Sequence, residues 1–333
     1  MPMAQDVYQA PDLSDDQVLG AVCGLRPCRK GGLRLEADHL GSKQVVHNYG
    51  HGGCGVTLSL GCAQIASDLV DSIGLKRTQV TVIGAGVIGI TTALELLRRG
   101  YKVRIYAEQS GLQTTSAIAG ALWLPVGIEF GQTQERITWM HNLLKQSKAA
   151  FCKLDPVRYG IEKLTVYEPA SSETEEHLFN NGSIDPQTSI DSFPFPCGAI
   201  PGQKFTTLFI HNTRFLTALF DDFTALGGEL VSRRFEHSDD IQSLDESIIV
   251  NCTGLGAKSL FGDDQMFAAR GVLVHMKPQN LGYGVHDGFK YMFPRENALI
   301  LGGCFQEDSW NDAPDQAMID EILAHHRRFF GQS

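Results

Sequence analysis

The sequence predicts an α/β protein with a doubly wound parallel sheet, and three observations predict it. A short apolar run, Gln79 to Ile83, is bounded by a glycine; a helical period follows from Val87 to Arg99 with Gly100 just past its end; and Lys102 to Tyr106 alternates as a second strand. Strand, glycine turn, helix and strand in this order make one βαβ unit with parallel pairing. At 333 residues the chain is long enough for one large α/β domain or two medium ones, each with a sizeable core.

The other elements follow from the same signals. Ahead of the βαβ unit, Val56, Leu58, Cys62, Ile65, Leu69 and Ile73 recur at three- and four-residue steps, which predicts an amphipathic helix ending at Gly74, and the glycines of Gly50 to Gly55 precede it. Beyond the unit come a helix from Gln132 to Leu154, a polar region with Pro and Asn-Gly turns from Pro169 to Pro201, and a helix from Thr213 to Leu226. The strand Ser247 to Cys252 runs into Thr253-Gly254-Leu255-Gly256. Gly271 to Met276 and Lys290 to Gly303 read as strands, and Asp312 to Phe330 as a terminal helix. The chain shows no internal repeat.

Charge and composition narrow the partners. Lys+Arg number 28 against 38 Asp+Glu, a net charge of -10, and basic runs such as Arg233-Arg234 and His325-His326-Arg327-Arg328 are too short for a phosphate-binding stripe, so nucleic acid is not expected. Mean hydropathy is -0.10, and no apolar run approaches the roughly 18 residues that span a bilayer, so no membrane association is expected. Met1 to Asp16 is polar and reads as neither a signal nor a transit peptide. The eight cysteines are scattered without a Cys-x-x-Cys pair, which places the expected location in a reducing cytoplasm.

The glycines Gly84-Ala85-Gly86-Val87-Ile88-Gly89 open a helix directly after a strand, the context in which Gly-x-Gly-x-x-Gly binds a dinucleotide. The first glycine makes the tight turn, the second lets backbone approach a pyrophosphate, and the third lets helix and strand pack closely. Glu108 ends the next strand and is placed for a ribose hydroxyl; an acid there repels a 2′-phosphate and favours FAD or NAD over NADP. Gly52, Gly53, Gly55, Val56 and Thr57 start the preceding helix, whose free N–H groups can meet negative charge. His47 and His51 are four apart, as metal ligands on a helix would be, but the glycines around them argue against a helix, and no metal site is expected.

The run His47-Asn48-Tyr49-Gly50-His51-Gly52-Gly53-Cys54-Gly55-Val56-Thr57 resembles the flavin-ring loop of the D-amino-acid oxidase family. Val82 to Gly89 with Tyr106-Ala107-Glu108, Thr114-Thr115-Ser116 to Leu122-Trp123-Leu124-Pro125, Asn251-Cys252-Thr253-Gly254, Leu301-Gly302-Gly303 with Phe305-Gln306, and Gly24-Leu25-Arg26-Pro27 are similar to further blocks of that family. The blocks stand in a different order. Family members begin at the dinucleotide strand and end with Gly-x-Arg-Pro and His-Asn-Tyr-Gly-His-Gly-Gly, whereas here those segments come first, so the chain reads as a circular permutation joined through Gly74 to Thr78. A join of five residues spans at most about 17 Å, so the joined ends must be close.

The resemblance implies a circularly permuted D-amino-acid oxidase fold: a doubly wound, Rossmann-like FAD-binding domain over 45–125 and 205–262, and a mixed-sheet substrate domain over 1–44, 126–204 and 263–333. It implies non-covalent FAD held by Gly84, Gly86, Val87, Ile88, Gly89, Glu108, Thr114, Thr115, Ser116, Gly120, Ala121, Leu122, Thr253, Gly254 and the Gly52 to Thr57 loop. Arg26 matches the arginine that clamps the substrate carboxylate, which a planar guanidinium fork suits, and Tyr291 matches a tyrosine on the same group. The implied reaction is oxidative deamination of a D-amino acid by dioxygen, giving a 2-oxo acid, ammonia and hydrogen peroxide. Gly53, where members preferring acidic substrates carry serine, reads as space beside the flavin ring and tilts the expectation to neutral side chains. Trp123 and Leu124 are candidates for the pocket wall, with ordinary core packing as the alternative. Between Asp287 and Tyr291 the family's longer lid is missing, which opens the pocket, either to substrates larger than a free amino acid or to faster product release. Oxidation of glycine-like or larger amines, a nicotinamide-dependent dehydrogenase and a flavin-binding protein without turnover stay as alternatives, and a homodimer is left open.

Overall fold

A computed structural model describes residues 8–74, 78–170, 177–180, 182–197 and 201–332. The start of the polar N-terminal segment, residues 1–7, the centre of the expected join, 75–77, and parts of the 169–201 region lie outside the described residues. In chain order the described elements are β1 (Val18–Arg29), β2 (Arg34–Leu40), β3 (Lys43–Tyr49), α1 (Gly55–Ser72), β4 (Gln79–Ala85), α2 (Val87–Arg98) and β5 (Lys102–Ser110). Next come α3 (Thr115–Ile118), α4 (Gln134–Phe151), α5 (Pro156–Tyr159), β6 (Ile161–Pro169), α6 (His177–Asn180), β7 (Thr188–Ile190) and β8 (Gly202–Ile210). The rest are α7 (Asn212–Ala225), β9 (Glu229–Ser232), α8 (Ser238–Gln242), β10 (Ile248–Asn251), α9 (Ala257–Leu260), β11 (Met266–Met276), β12 (Tyr283–Asp287), β13 (Lys290–Pro294), β14 (Leu299–Gly302), β15 (Gln306–Glu307) and α10 (Gln316–Phe329).

One compact unit comprises Arg26–Ile161 and Asn212–Ala269. Its six-stranded sheet has the order β2-β3-β10-β4-β5-β9. β3, β10, β4, β5 and β9 run parallel, and β2 closes one edge as an antiparallel partner of β3. Strands covered on both faces read as continuous apolar runs, as Ile248, Ile249 and Val250 of β10 do, all fully buried. α1 and α2 pack on the sheet from one side. Phe235, Ile241, Leu244 and Leu260, from the α8 and α9 region, cover Val45, Ile83, Tyr106 and Ile249 on the other. The sheet is therefore doubly wound.

The boundaries expected from the sequence are corrected here. Residues 26–44 and 126–161 belong to this unit because β2 hairpins onto β3 and α4 packs against α1. α1 also corrects the expectation of no membrane-length apolar segment: residues 52–72 reach a mean hydropathy of 1.2 over an 18-residue window. In the structure most of that window is buried, because α1 lies against α2, α4 and β3 as a core helix.

The other unit comprises Met1–Leu25, Glu162–His211 and Arg270–Ser333. The strand order is β1-β11-β14-β13-β12-β6-β8-β7, with β15 on β11, in a mixed sheet. One face of this sheet, with Tyr167, Val272, Val274, Val285, Met292, Leu299 and Leu301, packs under Ile322 and Leu323 of α10. The expected single strand Lys290 to Gly303 is instead the hairpin β13–β14, because Pro294 ends the first strand and the Arg295 N–H donates to the Ala298 carbonyl at 2.9 Å to close a turn. The segment between Asp287 and Tyr291 is the turn of a second hairpin, with Asp287 paired to Lys290 and Gly288 at φ 60°.

Candidate active site

Parallel pairing puts the carboxyl ends of β3, β10, β4 and β5 on one edge of the six-stranded sheet. Chain order makes that edge a switch point: from β4 the chain moves through α2 to β5 on one side, while β10, on the other side, arrives only after residue 247. Ligands of open α/β sheets bind outside the carboxyl ends at such a point. The loops that leave these four ends are His51 to Gly55, Gly84 to Gly89, Gly111 to Ser116 and Cys252 to Gly254, so the sheet gathers the sequence-distant candidate segments of this unit.

The glycine turn after β4 has the form a dinucleotide needs. Gly84 sits at φ 105°, and a Cβ there would strike the Cys252 carbonyl. A Cβ on Gly89 would collide with the carbonyl oxygen of Gly84 itself, so only glycine lets α2 start this close to β4. At Gly86 a Cβ would meet only the Ser116 hydroxyl, 3.2 Å away, among the described residues. The backbone of Gly86 is thus open to a close-approaching group, and the residues present fit the pyrophosphate of FAD.

The two helix starts at this edge also fit. α4 and α10 are closed by side-chain caps from Thr133 and Asp315, whereas neither Cys54 before α1 nor Gly86 before α2 supplies one. The first-turn amides of α1 and α2 therefore remain oriented toward the edge, with the positive ends of both helix dipoles. One amide of α2 is an exception: Ser116 Oγ accepts from the Val87 N–H at 2.9 Å. Of the candidates in this turn, Val87 therefore has its amide engaged within the protein.

Glu108 lies in a bulge of β5, between the paired positions Tyr106, opposite Ile83, and Ser110, opposite Ala85, which sets it beside Gly84. Its carboxylate is exposed and accepts from Arg234 Nη1 at 3.0 Å. Thr114 turns its hydroxyl onto the Gly111 carbonyl, 2.8 Å away, and Thr115 is exposed at the start of α3. Gly120 is half-buried; Ala121 and Leu122 are buried, and Ala121 holds a positive φ of 60°. A non-glycine residue in that region stores on the order of 1–3 kcal/mol, a mark of positions whose backbone shape is fixed by their surroundings. Thr253 closes its turn by donating its N–H and hydroxyl to Asn251 Oδ1, at 3.1 and 2.8 Å. Gly254 follows at φ 56°, against Pro27.

The α1 loop corrects two readings. Gly53 does not leave an open space: a Cβ would lie 2.5 Å from the Val126 carbonyl, and the Gly53 N–H donates to Gly127 O at 3.0 Å. Glycine is required there by the passing 126–127 backbone, so it carries no information on the charge of a substrate. Thr57 is buried and its hydroxyl faces the Leu124 carbonyl at 3.4 Å, which ties α1 to that segment rather than presenting a polar group to a cofactor. Val56 is buried as well. Trp123 and Leu124 are fully enclosed, Trp123 beneath the Lys148 ammonium at 4.6 Å.

His47 and His51 are buried and serve structure. Asn251 Nδ2 and His47 Nδ1 are 3.1 Å apart, and His51 Nε2 lies 3.4 Å from Cys62 Sγ. Burial holds the His47 imidazole down to about 4 and that of His51 to about 3. His326, buried in the other unit, falls to about 4 for the same reason. Since the unfolded chain binds these protons near 6.5 and the folded chain does not, stability present at neutral pH is lost as pH falls through 6 toward 4, on the order of 1–2 kcal/mol per histidine by pH 5. Urea titrations at pH 7 and pH 5 should show that loss, and His51→Gln should reduce it.

Arg26 is half-buried on β1, and its neighbours tie it to the same edge: Cys28 bridges to His51, and a Cβ on Gly254 would meet Pro27. Tyr291 is half-buried on β13 of the other unit, stacked on Phe293 at 4.8 Å and 16°.

Asn212 was not singled out by its sequence context. Buried at the start of α7, it donates from Nδ2 to Ser116 O at 2.9 Å and to Ala119 O at 2.7 Å, spanning both ends of α3. Two bonds to one amide fix the segment that carries Ser116 and the strained Ala121. Asn212→Leu, of similar size and without donors, is expected to weaken FAD binding about tenfold while the far-ultraviolet spectrum is unchanged; fluorescence titration of the apoprotein checks it.

A family profile described as DAO, FAD dependent oxidoreductase, matches residues 79–333. The chain is 28% identical over 255 residues to a D-amino acid oxidase of Dugesia ryukyuensis, covering 73% of this chain and 75% of that protein. It is also 28% identical over 261 residues to a D-aspartate oxidase of Homo sapiens, covering 75% of each. The fold is shared with glycine oxidase from Bacillus cereus, with a TM-score of 0.57 over 75% of this chain and 77% of that one at 17% identity. Because the match runs from the first residue of β4 through the glycine turn and on through the rest of the chain, the chain belongs to the DAO family of FAD-dependent oxidoreductases.

Proposed function

We propose that the protein is an FAD-dependent oxidase of D-amino acids, converting the substrate with dioxygen to an imine and hydrogen peroxide, the imine then taking up water to give a 2-oxo acid and ammonia. The observation that carries the reading is the open glycine turn at the switch point, with Arg26 on the strand that runs beside the His51 and Gly254 loops; the two curated relatives named above act on D-amino acids by name. When bound, FAD supplies the acceptor for the α-hydrogen with its electron pair, and dioxygen takes the electrons onward. The residues of the chain bind and orient. Arg26 offers two parallel N–H donors to the α-carboxylate, so that the substrate is held in one orientation. The amide ends of α1 and α2 supply fixed positive potential without a side chain having to ionise. Peroxide release with a panel of neutral and acidic D-amino acids, their L-enantiomers, glycine and N-methylglycine tests the reading. Turnover confined to glycine and N-methylglycine, or no turnover at all, contradicts it.

The proposal includes a permuted segment order. In support, β3 (Lys43–Tyr49) sits inside the central parallel sheet next to β10, yet it precedes the stretch that the family profile covers. The central sheet of this chain thus takes one of its inner strands from ahead of the matched residues. If residues 74–78 are a join rather than a functional loop, replacing them by a flexible linker of about twice the length should change the melting temperature by no more than about 2 °C; a larger drop, seen by calorimetry, argues against a join.

A further inference from the structure

The Thr253–Gly254 turn, one of the loops at the carboxyl edge of the six-stranded sheet, hangs from a chain of hydrogen bonds whose direction is fixed at one end. The Thr253 backbone N–H can only donate, and it lies 3.1 Å from Asn251 Oδ1, with the Thr253 hydroxyl on the same oxygen at 2.8 Å. The atom facing that N–H must be the amide oxygen, so the other end of the Asn251 side chain is its NH2 group. That group also can only donate. Its neighbour at 3.1 Å is His47 Nδ1, so Nδ1 accepts through its lone pair and the imidazole proton sits on Nε2. Asp38 Oδ2 stands 3.4 Å from Nε2, an acceptor on the side where this tautomer needs one.

Strand register assembles the chain. His47 of β3 is the parallel partner of Asn251 of β10, and Asp38 of β2 pairs with Val45, two positions before His47 on the same face of β3. His47 and Asn251 are both buried. Phe261 and Tyr49 stand edge-on to the imidazole, with ring centres at 5.2 and 5.5 Å and both planes at 90°, so the ring is confined to one orientation. An apolar side chain would fill this place without the cost of desolvating a polar ring. It would also leave the Asn251 NH2 group buried with no acceptor and remove the partner that opposes rotation of the amide. Turned over, the amide would set its NH2 group against the Thr253 N–H, two donors face to face, and the turn would open.

We propose that His47 is a positioning residue for FAD, whose unprotonated Nδ1 holds Asn251 in the amide orientation that closes the Thr253–Gly254 turn at the cofactor edge. This rests on the FAD site described above and is independent of which substrate is oxidised. Heteronuclear spectra of the histidine-labelled holoprotein read the tautomer, and flavin fluorescence released on dilution of the holoprotein reads the Kd of FAD. His47 should carry its proton on Nε2. Asn251→Leu and His47→Leu should each raise the Kd about tenfold, and His47→Leu added to Asn251→Leu should have no further effect. His47→Asn, whose amide oxygen can take the place of Nδ1, should keep the Kd within about twofold of the parent, whereas His47→Gln, whose amide reaches the place of Nε2, should bind as weakly as His47→Leu. Loss of packing alone does not separate these two amides, and the pair serves if His47→Leu does not fold. A proton on Nδ1, an unchanged Kd in His47→Leu, or equal Kd values in His47→Asn and His47→Gln overturn the proposal alone. An unchanged Kd in Asn251→Leu overturns the part of the Thr253–Gly254 turn in holding FAD, and the proposal with it.

Discussion

Replacing Gly89 by alanine is expected to abolish FAD binding. The added methyl would come within 1.9 Å of the Gly84 carbonyl oxygen, and Gly84 holds φ 105° in a turn where even a Cβ would strike the Cys252 carbonyl, so the turn has little room to yield. The start of α2 must then move away from β4, taking the amides of Ile88 and Gly89 out of register with the edge where the pyrophosphate is read. FAD affinity should fall by at least about 100-fold, and overpacking of this kind should also remove about 1–3 kcal/mol of stability. Purification without bound flavin, with a melting temperature lowered by several degrees, checks both parts. Gly86→Ala is the informative partner: its Cβ meets only a hydroxyl that can rotate, so the apoprotein should be as stable as the parent and fail only in cofactor affinity.

Arg26→Ala should leave FAD in place and remove the substrate. A carboxylate that loses a bidentate guanidinium loses about 3 kcal/mol, on the order of 100-fold in KM. Arg26→Lys should recover only part of this, because an ammonium cannot form the planar fork. An unaltered flavin spectrum together with an unaltered KM would remove Arg26 from the site.

The parts that local physics writes strongly were legible in the sequence. The β4–α2–β5 unit is read from an apolar run, a glycine turn and a helical period, and each of its elements falls within a few residues of the expected range. The α1 helix and the loop before it were legible for the same reason. β6 and β8 were not, because strands in a mixed sheet interleave polar residues with the core set, as in Glu162, Lys163 and Thr165 of β6. The β13–β14 turn was hidden by its apolar flanks. In the site, the glycines announce themselves because their role is carried by a missing side chain. Other roles depend on partners distant in sequence. Ser116 caps Val87 and Asn212 grips α3 from almost one hundred residues away, while His47 meets Asn251 from more than two hundred. Gly53 shows the converse case: its composition suggested free space, and the close 126–127 backbone, invisible in sequence, takes that space.

The most direct test of the central claim is the anaerobic visible spectrum of the purified protein before and after addition of D-amino acids. A yellow protein whose flavin absorption is bleached by at least one D-amino acid, and by none of the L-enantiomers, is the predicted result. A yellow protein that no amino acid bleaches would contradict the substrate while leaving the cofactor site intact, and a protein that stays colourless after reconstitution with FAD would contradict the site itself.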